Sequence, residues 1–325
     1  MIEKQFKNLN EQIEIFKHKG MIIQDESYAK QVLLRENYFF LNGYRHLFYK
    51  SNDEKKFING TTFEELYSLF LFDRSFRNII FKYLLVIENN LKSITSYQLS
   101  KKYGYRERDY LRAKNFTHDP ARQRHVNDLL KKMKRQIRIN GSQHSATLHY
   151  VSNYGYIPLW ILVKVLSFGI VSEMFSILKP EDQEEIGKIY NVEVDDLLVY
   201  LPILANYRNL CAHEDILYEN RTQKQIDDTI YHQILDIPKE NGEYIYGKQD
   251  LFALLIIMRQ MLIKEDFKNM TIELENVVQT LNYNLTSIKI EKVIHRMGFT
   301  ENWKDLAGIE RSVDKEWKRK KIWRQ

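Results

Sequence analysis

Apolar residues recur along this chain at steps of three, four and seven, the period of a helix that buries one face. Leu66, Leu69, Phe76, Ile80, Leu84, Ile87, Leu91 and Ile94 keep that spacing over nearly thirty positions. Thr62-Phe63-Glu64-Glu65 precedes them as a T-x-x-E capping box, and Gly104 follows as a stop. A single helix of some 40 residues would span about 60 Å, so the pattern predicts one bend or break, near Asp73. Upstream, Ile13 and Phe16 mark a short helix capped by Asn10, and Asp25 opens a second carrying Ala29, Val32 and Leu33. Residues 38–49 are dense in aromatics around an Asn42-Gly43 turn, either core or a surface on which bases stack.

Further on, Asp119-Pro120 reads as N-cap and first turn of another helix. Val126, Leu129, Leu130, Met133 and Ile137 line its one apolar face. Arg122, Arg124, Lys131, Lys132, Lys134, Arg135 and Arg138 crowd the rest. Tyr150, Tyr154 and Tyr156 lie near the next turn. From Pro158 the chain is apolar nearly all round, hence buried, with a break at Ser167-Phe168-Gly169. Asp195-Asp196 can cap a helix striped by Leu197, Leu198, Leu201, Leu204, Ala205 and Cys211, which Pro202 should kink or restart. Beyond residue 237, Asp250, Thr271 and Ser287 open three more helices, the last closed by Gly298. The pattern therefore predicts an all-α chain: an N-terminal helical region over 1–60, a core over 61–236 that includes the basic segment 101–138, and a C-terminal extension over 237–325.

Composition narrows the function. Apolar residues make up 44% of 325, ample for a core, but no run reaches the 18 that a membrane-spanning helix needs. The first residues lack the apolar centre of a signal peptide. A single cysteine, Cys211, rules out a disulfide framework within the chain and cysteine-based zinc clusters, and it fits a reducing cytoplasm. Net charge is +6, while residues 101–138 alone hold 13 Lys/Arg against 4 Asp/Glu. That concentration is the footprint of a polyanion-binding surface. A solvated helix face, a membrane surface or a calmodulin-like partner would suit the same pattern. The last residues mix Lys315, Lys318, Arg319, Lys320, Lys321 and Arg324 with Trp317 and Trp323, which fits single-stranded nucleic acid or a frayed tail.

Chemistry concentrates at Arg208-Asn209-Leu210-Cys211-Ala212-His213. Asn206, Asn209 and His213 fall on one helix face. Arg208 lies about 140° around from His213 at ~100° per residue, so only its long stem brings both groups to one phosphate. Arg112…His118 and Arg138…His144 share the bare R-x4-6-H spacing, but turn residues interrupt both.

This wording, RNLCAH followed by LYENR, resembles the HEPN ribonuclease motif of the bacterial abortive-infection (Abi-like, AbiD/AbiF-type) family. NYFFLNGY, FDRSFRNIIFKYLLVIENNLK, PLW…LSFG and MGFTENW resemble the family elsewhere in the chain. The resemblance implies a HEPN-type helical bundle and a two-fold dimer in which two motif helices share one site. It implies Arg208, His213 and Asn209 as catalytic residues, RNA as substrate, and a role in phage defence or as a toxin restrained by a structured non-coding RNA. The family often has a second histidine after CAH; here that position is Glu214.

The residue types fit that chemistry. RNA carries its own nucleophile, the 2′-OH. Histidine moves protons near neutrality, and a planar guanidinium clamps two phosphate oxygens. Asparagine positions the phosphate or the imidazole, and neither a metal nor another cofactor is called for. Glu88, within the apolar stripe of the long helical segment, either holds Arg208 or is a plain surface carboxylate; Asn206 is a second supporting candidate. Two other readings share the sequence: an RNA-binding protein without catalysis, gripping a structured RNA through the basic helix, and a purely structural helical protein.

Overall fold

The long apolar repeat folds as one helix. The computed structural model describes residues 5–51 and 54–310 of the chain. Within it Phe63–Tyr103 runs unbroken for 41 residues. Both bonds of the Thr62/Glu65 capping box are made, and Gly104 ends the helix at φ 93°. The break expected near Asp73 is absent. Asp73 points into the protein and is fully buried, so its charge marks a buried tie and not an interruption.

Among the helices that pack on this spine are Leu159–Val165, Phe168–Ser176, Pro180–Tyr190, Val194–Ala212 and Lys264–Asn284. Val194–Ala212, the motif helix, continues through Pro202 without restarting. Its N-cap is Glu193, and Asp195 and Asp196 sit instead in the first turn, beside the positive end of the helix dipole. Lys264–Asn284 starts well before Thr271, whose hydroxyl donates to the Phe267 carbonyl at 2.9 Å. The carboxylate of Glu65 accepts from the backbone of Thr286 and Ser287 at 2.6 Å, which ties the start of the spine to the end of that helix. Leu251–Met261, capped by Asp250 as its sequence predicts, is buried on nearly every side.

The aromatic segment near the N-terminus is mainly core. Tyr38–Gly43 is helical and Tyr44–Phe48 is a 3-10 turn, so Asn42-Gly43 lies inside a helix and not at a turn. Leu41, Tyr44 and Phe48 are buried, whereas Phe39 and Phe40 face solvent. Gly43 lies close under Ile216: a Cβ there would meet the tip of that side chain at 2.6 Å, so Ile216 would have to shift. The first helix is capped by Asn8, through a capping box with Glu11, and not by Asn10. Trp160, in the stretch expected to be wholly buried, is exposed.

The chain is all-α. Among the described residues the sole ladder is the ribbon Lys239–Glu240 with Glu243–Tyr244. Its Asn241-Gly242 turn has both φ angles positive, as tight hairpins require. No helix among these residues is long and apolar enough to cross a membrane. The basic tail at 315–325 lies outside the described residues.

Candidate functional site

The motif helix runs antiparallel to the spine. Arg208 reaches Glu88, whereas the chain beyond the motif, at residues 215–218, reaches Asp73 and Arg77, one third of the spine away. Arg208 donates from Nε to Glu88 Oε2 at 3.1 Å, and its guanidinium lies 5.9 Å from the centre of the Phe81 ring. Lys92, one turn along, donates to the other oxygen of Glu88 at 2.7 Å. The buried carboxylate is thus shared by two cations, and the local sum stays positive. One terminal nitrogen of Arg208 stands 3.5 Å from Asn209 Oδ1. Its other terminal nitrogen has no hydrogen-bond partner among the described residues, and the side chain is 29% exposed.

His213 is the residue at which the helix ends. Its backbone N–H still bonds to the Asn209 carbonyl at 2.9 Å. Glu214 follows in the left-handed conformation at φ 58°. Glu214 N–H bonds back to Cys211 O and Asp215 N–H to Leu210 O, the two bonds of a Schellman stop. Asn206, Asn209 and His213 all face solvent along one strip, and the imidazole has no hydrogen-bond partner among the described residues. Cys211 turns inward, and burial pushes its thiol up to about 12.

A buried bolt fixes this helix end. Asp73 accepts from Tyr44 Oη at 2.8 Å, from an Arg77 terminal nitrogen at 3.0 Å, and from the backbone of Leu217 and Tyr218 at 3.0 and 2.7 Å. Burial raises its pKa, and those four donors oppose the rise. Arg77 also donates to the Asp215 carbonyl at 3.1 Å. Tyr44 stacks on Tyr218 at 5.7 Å. The sequence reading used Asp73 only as a break point and missed Arg77 and Lys92. The signal was there: Asp73/Arg77 and Glu88/Lys92 are two i,i+4 opposite-charge pairs inside an apolar stripe, and charges in such a place need a reason.

The basic residues lie elsewhere. All but Arg122 ride on Gln123–Asn140, whose Val126, Leu129, Leu130 and Met133 are buried as the pattern predicts; Asp119-Pro120 opens a 3-10 turn that ends at Arg122, the N-cap of this helix. Met133 meets Leu99 and Tyr103 around a small internal cavity at the far end of the spine. Leu99 is about 17 Å along the helix from Glu88 at 1.5 Å per residue. Arg122, Arg124, Lys131 and Lys132 are engaged with Asp119, Asp128 and Glu173 at 2.6–4.0 Å. Lys134, Arg135 and Arg138 are exposed and have no ion-pair partner among the described residues. So the fold joins Arg208, Asn209 and Glu88 in one cluster, leaves Asn206 and His213 exposed beside it, and sets the basic helix apart. Among the described residues, no three His, Cys, Asp or Glu side chains group as metal ligands would.

Comparison with known proteins agrees with the wording of the motif and its surroundings. No curated protein and no solved structure matches the chain. The family model described as Abi-like protein matches residues 31–219, more than half of the chain, and ends just past the bolt that holds the motif. With Arg208, His213 and their buried supports all inside that span, the chain belongs to the Abi-like protein family.

Proposed function

We propose that this chain is a HEPN-type, metal-independent endoribonuclease that acts in phage defence by abortive infection, or as a toxin restrained by a structured non-coding RNA. The observation that carries the reading is Arg208. It is anchored through one nitrogen on a buried carboxylate, with donors free, at the exposed end of a helix that presents a histidine. Such an anchored fork suits the crowded phosphorane formed when a 2′-OH attacks its own phosphodiester, since fixed donors aimed at developing charge need no reorganisation. His213 would take the hydroxyl proton or supply one to the leaving 5′-oxygen, and Asn209 would orient the phosphate. The products would be a 2′,3′-cyclic phosphate and a 5′-hydroxyl.

One arginine and one histidine leave half of that proton transfer unserved. Two copies meeting through the strip of Asn206, Asn209 and His213 would supply a second of each, and two-fold pairing is the commonest oligomer form. The test is His213→Ala. Cleavage of cellular RNA should fall at least about 100-fold, with circular dichroism and oligomeric state unchanged and with wild-type activity insensitive to EDTA. Undiminished cleavage by that variant removes the proposal.

A second reading has its own support in the exposed, unpaired Lys134, Arg135 and Arg138. There the chain would hold a structured RNA without cutting it. Steeply salt-dependent binding with no cleavage under any condition selects it.

A further inference from the structure

At the far end of the spine the protein exposes a ladder of aromatic rings that the Arg208–His213 site does not use. Tyr150 and Tyr154, one turn apart on Ser145–Tyr154, have ring centres 5.3 Å apart. Tyr156 follows at 6.4 Å from Tyr154, Tyr105 at 5.8 Å from Tyr156, and Trp160 at 5.5 Å from Tyr105. The Arg106 guanidinium lies over two of these rings, 5.0 Å from Tyr156 and 5.8 Å from Tyr105. Tyr154 is 58% exposed, Trp160 43% and Tyr105 38%. Tyr150 and Tyr156 are half-buried, so the five rings form one partly exposed aromatic surface, of the kind that marks a contact site for something else.

Charge identifies the partner. From residue 129 to residue 172 the sequence has no aspartate or glutamate at all. The same stretch holds Lys131, Lys132, Lys134, Arg135, Arg138 and Lys164. Helix Leu159–Val165, which carries Trp160 and, one turn on, the exposed Lys164, packs against both the basic helix and Ser145–Tyr154. The acids beside the ladder are engaged: Glu107 accepts from the backbone N–H of Ile157, and Asp109 pairs with Arg108 and Arg112. Aromatic faces among the remaining cations fit a polyanion that also has flat rings to stack. In a duplex those rings are covered by their neighbours; in a single strand they are available.

We infer that this ladder is a docking platform for single-stranded RNA. Unpaired bases stack on Trp160, Tyr105 and Tyr154, and the phosphates between them meet Arg106 and Lys164. The inference rests on the endoribonuclease reading for its choice of RNA as the polyanion, and on nothing else in it. It also sets a length. Tyr103, at the end of the spine, is 15 residues from Glu88, about 23 Å along the axis at 1.5 Å per residue. At about 3.4 Å per stacked nucleotide, a strand touching both platform and Arg208 needs about seven nucleotides or more.

The test is fluorescence anisotropy at 0.15 M salt. It compares a labelled, unstructured 15-nucleotide RNA with a blunt duplex containing the same strand, using full-length wild type and His213→Ala. The single strand should bind at least about tenfold tighter than the duplex. Tyr154→Ala and Trp160→Ala should each weaken single-strand binding about tenfold, with the fold intact because both side chains are exposed. Tyr154→Phe and Trp160→Phe should restore it. The inference is overturned if the alanine variants bind single strands like wild type, or if single strand and duplex weaken equally. Loss of a protein partner at unchanged RNA affinity overturns it too. Binding is read without cleavage, so a chain that never cuts RNA yet binds it through these rings removes the nuclease proposal and leaves the platform.

Discussion

One nitrogen of Arg208 is committed to Glu88, and this fixes where the rest of the guanidinium can stand. Lys92 on the opposite oxygen keeps that carboxylate from cancelling the arginine. Cys211, two residues before His213, is the quiet member of the motif: a thiol raised to about 12 is protonated at pH 8 and reacts slowly. Iodoacetamide at pH 8 should therefore leave native protein almost unlabelled and label it fully in urea. Rapid labelling in the native state would contradict the burial described. At this scale the sequence was informative about identity and less so about setting. Arg208, Asn209 and His213 were legible from spacing and wording, and Glu88 from its place in an apolar stripe. Asp73 and Arg77 stood out only as a charge pair in that stripe; their partners did not, being the backbone of Leu217, Tyr218 and Asp215, some 140 residues downstream. No local pattern records a bond across that distance.

At the scale of elements, the stop after the motif and the spine beneath it determine how His213 is presented. Glu214 adopts a left-handed conformation that costs an L-residue roughly 1–2 kcal/mol. Its contact with Arg74, at 3.9 Å with the glutamate exposed, returns little. Glu214→Gly should raise the urea midpoint by an amount equivalent to about 0.5–1 kcal/mol, after the extra chain entropy of glycine is counted. Asp73→Ala works in the opposite sense. It strands Arg77 and two backbone N–H groups in the core, so urea unfolding should show a loss of about 3–5 kcal/mol. A loss under 1 kcal/mol would mean that the bolt does not hold the helix end. Caps and stops with local chemistry were readable here: Thr62 with Glu65, Asp25, Asp250 and Gly104 all serve as their sequence predicts, and the break expected at Ser167-Phe168-Gly169 is a helix start capped by Ser167. Where the outcome depended on neighbours, as for Thr271 and Asn42-Gly43, a single local signal misled.

For the molecule as a whole, the proposed two-fold site makes a demand that one copy cannot meet. Arg208→Ala and His213→Ala should each be inactive alone, but co-expressed they form mixed dimers that retain one arginine and one histidine across the shared strip. RNA cleavage should then rise above that of either variant but stay well below wild type, since half of the proton transfer is still unserved. Mixtures no more active than the separate variants would confine the chemistry to a single chain. All-helical architecture was legible from periodicity throughout. The separation of basic helix from motif was not, because closeness in sequence says nothing about which end of a 41-residue spine a helix will occupy.

That spine has a further implication for length. The family match stops at residue 219, yet Leu251–Met261 is almost wholly enclosed and Lys264–Asn284 lies against the spine. A gene trimmed to the matched segment would not encode a smaller working version. It would strip the cover from the flank of the spine around Tyr83, whose hydroxyl donates to Glu273, inviting self-association.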